Sequence, residues 1–469
     1  MKKQLAYLVG IKGVAMTSLA VYLTEKGYKV IGSDVKDSFS TDSVLKKYKI
    51  EVLPGFSKEN IPQNADLVVV SGAHGGADNV EAKYAKKLGI SVFMHGSYLG
   101  KISDEKKTIA VAGCHGKTTT SSMVATILSK ADLDPSFAIG TAYINDFGPS
   151  GHFGKGKHFI VEADEYVNCP NTDVTPRFLY LHPQIAVITN IEYDHPDVYK
   201  NLDDVKNAYI SFIKNIKSNG ILITSIDDPG VSSILNKLKS TRVITYGFSP
   251  RADFRIEKFY QNGLASFMKV VNKHITVGEF MINIPGKHNL SNALAASIMG
   301  KEIGLSWDKI KNLLSLYKGC NRRFELIYDS DNIKLYDDYA HHPSEIRATI
   351  KSFKERFPES KLVVIFQPHT FSRTKQLESK FASAFTNSDK VLLVDIFPSA
   401  REKFDPNVSS AKLASSINKI KNNALYVSSK IEGLNIIKKN LLSNTVVVTM
   451  GAGDLNSWHK DLIELIKNL

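Results

Sequence analysis

The sequence predicts an α/β protein of three domains: a Rossmann-like N-terminal domain over residues 1–106, a central P-loop ATPase domain with a parallel sheet over 107–318, and a Rossmann-like C-terminal domain over 319–469. Three observations carry this expectation. A chain of 469 residues is too long for one hydrophobic core, and roughly 150 residues per domain gives about three. Short apolar runs alternate with helical stretches towards both ends of the chain, as in sheets covered by helices. Between them, Val111-Ala112-Gly113-Cys114-His115-Gly116-Lys117-Thr118-Thr119-Thr120 reads as strand, glycine-rich turn and helix start.

In the first segment, Leu5 to Val9 is a buried parallel strand. It is followed by the turn Gly10-Ile11-Lys12-Gly13-Val14-Ala15-Met16, a helix to about Lys26, and a second strand from Lys29 that ends at Asp34. This βαβ start with an acid after its second strand is similar to a dinucleotide fingerprint, but Lys12 and Ala15 occupy the second and third glycine positions. A nucleotide phosphate at the helix N-terminus, near Gly10, Lys12, Gly13 and Val14, is compatible with this turn, and so is a plain Rossmann-like connection. The run Asp66 to Ala73 is another strand, and its end carries Ser71, on the side where open α/β sheets bind ligands.

The central segment carries the strongest chemistry. Backbone N–H groups of the glycine turn, the helix N-terminus and Lys117 would converge on phosphate oxygens, with the Thr118 hydroxyl placed for Mg²⁺. The alternative is an ordinary strand-to-helix loop, since Val111 stands where the usual phosphate loop begins with glycine. Two further strand ends point to the same sheet edge. One runs from Phe159 into Glu162-Ala163-Asp164-Glu165, the other from Ile185 into Asn190 and Asp194-His195. Carboxylates and an imidazole there can reach a metal and a γ-phosphate. Residues from about 255 to 284 predict a small antiparallel patch, before a helix in which Asn289 and Asn292 share a face.

From Gly319 the α/β alternation returns, with strands near 333–336, 362–366, 391–394 and 445–449. Their ends carry Asp337-Asp338-Tyr339-Ala340-His341-His342-Pro343, then Gln367-Pro368-His369, Asp395 and Gly451-Ala452-Gly453-Asp454.

Composition narrows the function classes. With 43% hydrophobic and 23% charged residues the chain is an ordinary globular protein, and no apolar run approaches the ~20 residues of a membrane span. Cys114, Cys169 and Cys320 have no paired spacing, which fits a reducing compartment and a cytoplasmic location. The net charge of +13 is spread along helices rather than massed in a basic block, and no nucleic-acid module appears, so nucleic acid is not an expected partner.

Six stretches in register resemble the Mur ligase family: 113–120, 162–165, 189–195, 286–293, 322–324 and 337–343. The resemblance covers essentially the whole chain. It implies ATP-dependent amide-bond formation in peptidoglycan precursor synthesis, through an acyl phosphate, with a UDP-sugar domain, an ATPase domain and an amino-acid domain. Arg322-Arg323-Phe324, His341-His342-Pro343, Gln367-Pro368-His369 and Arg373-Thr374 are most similar to the branch that joins L-alanine to the lactyl carboxylate of UDP-N-acetylmuramate.

By this resemblance ATP is held by Gly113, Cys114, His115, Gly116, Lys117, Thr118, Thr119, Asn289, Asn292 and Arg323, with Mg²⁺ on Thr118, Glu165 and His195. The UDP-sugar falls to Gly10, Lys12, Gly13, Val14, Asp34 and Ser71, and the amino acid to Tyr339, His341 and Arg373. Lys117, Glu165, His195, Arg323, Asp338 and His341 form the expected catalytic set, with Asp338 orienting Arg323 or Lys117 and His341 taking the amine proton. Lys117 is expected to be a cleft residue that folding does not need.

Thr370 stands where the L-alanine branch has a second arginine. Asp164-Glu165-Tyr166 and the insertion from Asn168 to Arg177 resemble the branch that attaches a tripeptide. The tripeptide therefore stays open as the alternative amine donor, and a nucleotide-hydrolysing switch as the alternative of another class. A monomer or homodimer without membrane insertion is expected.

Overall fold

The computed structural model describes residues 3–170, 172–238, 241–398, 402–441 and 444–468; Met1, Lys2 and Asn171, the last inside the insertion, lie outside the described residues. Three α/β layers follow one another along the chain.

The first is a fully parallel sheet in the order Glu51–Pro54, Lys29–Asp34, Leu5–Val9, Leu67–Val70 and Ser91–Met94. The order reverses between Leu5–Val9 and Leu67–Val70, which opens a crevice at their C-terminal ends, where Gly10 and Ser71 lie. The helix Val14–Glu25 starts at that crevice. Its residues from Met16 to Leu23 are all buried, because it is packed between its own sheet and the central strands Ser136–Ile144 and Gly148–His152. A helix covered on both sides has no need of a polar face. One continuous core, including Leu8, Leu19, Tyr22, Ala110, Phe159 and Tyr209, joins the first layer to the second.

The central sheet has ten strands, in the order Ile275–Ile282, Ala265–Asn272, Phe254–Asn262, Arg242–Gly247, Ile221–Ser225, Ile185–Ile188, Lys107–Ala112, His158–Ala163, Ser136–Ile144 and Gly148–His152. Pairing is parallel from Phe254–Asn262 to Ser136–Ile144 and antiparallel at both edges. The antiparallel patch predicted near 255–284 is thus one edge of this sheet rather than a separate unit. Register fixes the site: Ala112 lies opposite both Ala163 and Ile188, so the turn after Ala112 sits between the segments that follow those two residues.

The C-terminal sheet runs Glu325–Asp329, Ile333–Asp338, Thr445–Met450, Lys361–Phe366, Lys390–Leu393 and Ala424–Tyr426, antiparallel only at its first pair. The edge strands Glu325–Asp329 and Ala424–Tyr426 escape the sequence reading because they are short and only partly buried.

Candidate active site

The turn after Lys107–Ala112 depends on two glycines. Gly113 has φ 135° with the Thr189 hydroxyl packed where a Cβ would be; Gly116 has φ 81°, and a Cβ there would stand 2.6 Å from Asn292 Oδ1. Only a residue without a side chain accepts both the left-handed backbone and the close neighbour. Asn190 Oδ1 accepts from the His115 N–H at 2.9 Å, and Asn190 Nδ2 donates to His115 O at 2.9 Å, which braces the loop. Gly116 caps the helix Lys117–Lys130 with no side-chain hydrogen bond, so its first N–H groups have no side-chain cap and suit an anion.

Lys117 Nζ lies 2.6 Å from Gly113 O and 2.7 Å from Glu165 Oε2. Burial disfavours the ammonium, but the Glu165 charge outweighs it and holds Lys117 protonated; burial likewise raises Glu165, and Lys117 brings it back below the usual carboxylate range. On the other side of Glu165, His195 Nε2 stands 3.3 Å from Oε1. His195 has φ 55°, and the Asp194 and Glu165 charges overcome its burial to raise its pKa.

Asp164, Glu165 and His195 present ligand atoms within 4.8 Å of one another, and Glu165 Oε1 is buried without a hydrogen-bond partner. That donor set fits a divalent cation. It differs from the expected trio in containing Asp164, whose Oδ2 also accepts from Arg177 at 2.7 Å. Thr118 lines the same cavity, and its hydroxyl meets Glu162.

Two cavities meet at the loop. The larger, about 370 Å³, runs from Gly13, Val14 and Ser71 past Lys117, Thr118 and Glu165 to Tyr339 and His341. The smaller, about 230 Å³, lies between the central and C-terminal domains and is lined by Thr119, His288, Asn289, Asn292, Tyr317 and Phe324 among others. His115, Gly116, Arg323 and Glu345 line both. Asn292 Nδ2 donates to Asn289 Oδ1 at 3.4 Å, and Gly286, not either asparagine, occupies the helix cap.

Asp338, expected to orient Arg323 or Lys117, accepts from the N–H groups of Phe324 (2.8 Å) and Ala340 (2.9 Å) and from the Thr349 hydroxyl (3.3 Å), and its charge acts on Arg323. It therefore shapes the turn that carries Arg323, and burial, partly offset by the Arg323 charge, pushes its pKa up to about 6. Arg323 itself pairs with Glu345 at 3.4 Å.

Arg373 Nε donates to Asp194 Oδ1 at 2.7 Å and its NH1 reaches His369, both ends of the ion pair being buried. It thus ties the C-terminal domain to the residue before His195, and it is absent from the described cavity linings. Lys12 and Asp34 are likewise engaged locally: the Lys12 N–H donates to Asp34 Oδ2 at 2.7 Å, and the ammonium reaches Asp37 O. Gly13, Val14 and Ser71 face the larger cavity, whereas Gly10 packs against Ser71.

His341 lines the larger cavity, with Nδ1 3.0 Å from Tyr339 O, and burial lowers its pKa to about 4. Glu345, His95 and Arg177 are cavity residues that sequence reasoning did not select, and Glu162, one of the acids at that strand end, lines the same cavity. Glu345 had a signal: it is the third residue of a helix opened by His342-Pro343, and its carboxylate caps the His341 and His342 N–H groups.

Family models match the chain in three places: the Mur ligase family catalytic domain over residues 6–107, the Mur ligase middle domain over 111–300 and the Mur ligase glutamate ligase domain over 322–453. The UDP-N-acetylmuramate–L-alanine ligase of Carboxydothermus hydrogenoformans is 39% identical over 456 residues, 97% of this chain and 95% of its own. That of Acetivibrio thermocellus is 40% identical over 455 residues, 96% and 93%. Among solved structures, the UDP-N-acetylmuramate-alanine ligase of Thermotoga maritima superposes with TM-score 0.80 at 25% identity over 99% of both chains. A murein peptide ligase of Psychrobacter arcticus gives 0.74, also at 25% identity and 99% of both.

Proposed function

The chain belongs to the Mur ligase family, and from that premise we propose that it joins L-alanine to the lactyl carboxylate of UDP-N-acetylmuramate at the cost of ATP. The observation that carries the reading is the pair of cavities sharing His115, Gly116, Arg323 and Glu345. A nucleotide base in the smaller one, beside Asn289 and Asn292, places a triphosphate over the glycine turn, so that its terminal phosphate enters the larger one.

There the sugar acid comes from the side of Gly13, Val14 and Ser71. Its carboxylate attacks the γ-phosphorus, an O–P bond forms, and ADP departs. Two anions must approach, and Lys117, Arg323 and the free N–H groups at Lys117–Lys130 offset the repulsion. Asp164, Glu165 and His195 would hold Mg²⁺, with Thr118 near by; when bound, such an ion neutralises phosphate charge and orients the oxygens.

In the second step the amine of the amino acid attacks the acyl carbon, phosphate leaves, and the amine proton must go to a base. Tyr339 and His341 line the cavity on that side. His341 is held neutral by burial; with Nδ1–H donated to Tyr339 O, its Nε2 is the accepting atom, and Glu345, 3.3 Å from the ring, stabilises the imidazolium that results. Arg373 acts by fixing Asp194, and hence the His195 turn, when the C-terminal domain is seated.

The test is release of ADP with Mg²⁺ and UDP-N-acetylmuramate, given L-alanine, glycine, L-serine or the murein tripeptide in turn. Turnover is expected only with both acceptor and amine donor, and fastest with L-alanine. Preference for the tripeptide transfers the chain to the peptide-adding branch, and acceptor-independent hydrolysis rules out ligation.

A further inference from the structure

A second group of metal-binding side chains lies apart from Asp164, Glu165 and His195. His115 comes from the glycine turn, Glu192 from the segment after Ile185–Ile188, and His342 from the cap of the helix Pro343–Arg356 in the C-terminal domain. Their ligand atoms lie within 4.8 Å of one another. His115 Nε2 and His342 Nδ1 each stand 3.8 Å from the same oxygen, Glu192 Oε2. Both nitrogens of His115 are buried without a hydrogen bond of ordinary geometry, each facing a carboxylate at longer range, Glu345 at 3.5 Å and Glu192 at 3.8 Å.

Each of the three also has an outer partner of the kind that orients a metal ligand. His115 Nδ1 faces Glu345 Oε1 at 3.5 Å. His342 Nε2 lies 3.3 Å from Tyr193 O, which sets the tautomer with the Nδ1 lone pair towards Glu192, where it accepts only a long 3.3 Å contact from the Ser344 N–H. The Ser344 hydroxyl donates to Glu192 Oε2 at 2.6 Å.

We propose that His115, Glu192 and His342 form a binding site for a divalent transition-metal ion of the imidazole-seeking kind, such as Zn²⁺, that fastens the C-terminal domain to the central one. Two imidazoles and one carboxylate suit Zn²⁺ and its neighbours, whereas Mg²⁺, a hard ion, is better served by the two carboxylates and single imidazole of Asp164, Glu165 and His195. Bonds of about 2.0–2.1 Å in a tetrahedral site put ligand atoms roughly 3.3–3.5 Å apart, so the 3.8 Å gaps must close by about 0.4 Å. Glu192, its side chain 33% exposed, provides the entry path and leaves a fourth position for water. His115 and Glu192 also line the smaller cavity, so the ion and a nucleotide base compete for the closed arrangement.

The experiment is a Co²⁺ titration of the full chain without nucleotide, substrate or Mg²⁺, read by the visible absorption of tetrahedral Co²⁺, with Zn²⁺ as displacer. Wild type and Asp164→Asn, which alters only the other cluster at a partly exposed carboxylate, are both expected to bind such an ion. Glu192→Gln and His342→Asn are expected to bind it at least about tenfold more weakly. Zn²⁺ should raise the melting temperature of wild type and not of Glu192→Gln. His342 is buried and its variant can fail to fold, but Glu192 is not, so its variant decides. Unchanged affinity in Glu192→Gln, or loss in Asp164→Asn, places the ion elsewhere and overturns the proposal. No substrate is present, so the ligase reading stands or falls separately.

Discussion

Replacing Lys117 by methionine should damage folding as well as turnover, and the two effects can be separated. The Lys117 ammonium and the Glu165 carboxylate are 2.7 Å apart, with side-chain exposures of 16% and 2%. At an effective dielectric constant of about 20 their attraction is about 6 kcal/mol before desolvation is subtracted. Removing one partner leaves the other charge buried alone, which costs about 3–5 kcal/mol. For a domain of this size that lowers the melting temperature by roughly 10 °C, read by differential scanning calorimetry.

Glu165→Gln in the same chain removes the stranded charge, so the double variant should recover most of the lost stability. Neither variant should turn over: loss of a phosphate-facing cation costs at least about 10²-fold in kcat. A Lys117→Met protein that melts like wild type, or a double variant no more stable than the single one, would refute the claim that this pair is buried and mutually dependent.

Arg323→Ala should lower kcat for ADP release about 10²-fold, because the guanidinium faces both cavities. Gly116→Ala should raise the KM for ATP about tenfold and leave that for UDP-N-acetylmuramate unchanged in steady-state assays: φ 81° costs about 1–2 kcal/mol for a residue with a Cβ, which also displaces Asn292. Asp338→Asn should raise the KM for ATP and cost about 1–3 kcal/mol in denaturant titration, since an amide cannot accept both the Phe324 and the Ala340 N–H. Burial, reinforced by the Arg177 charge, lowers His95 to about 4, so its contribution to stability is intact above the unfolded value near 6.5. It falls by up to about 3 kcal/mol as pH drops from 6.5 towards 4, and melting curves of His95→Asn across that window should be flatter than wild type.

How much of this was legible in the sequence depends on the distance over which each feature is encoded. The glycine turn, the acids after Ile160–Val161 and the Asn190–His195 stretch are local patterns, and parallel pairing of three neighbouring strands brings them together without further information. Partner choice is not local. Asp34 and Lys12 read as ligand contacts, yet Asp34 accepts from the Lys12 backbone N–H across the first βα turn and the Lys12 ammonium reaches Asp37 O. Arg373 reads as an amino-acid clamp, yet it closes on Asp194 from 179 residues away. Lys117 reads as a cleft lysine because burial of a charge becomes visible only once Glu165 is seen beside it.

The same limit explains Glu345. As a helix-capping glutamate it needs no partner outside its own turn, but the fold brings His115 from the central domain and Arg323 from the C-terminal domain to its carboxylate. One buried acid thereby faces cations from both sides of the nucleotide cavity, and its affinity for them depends on the domains being closed. Opening the domains exposes that carboxylate to water and weakens each pair at once, so closure around a nucleotide and assembly of the charges that act on it are a single event.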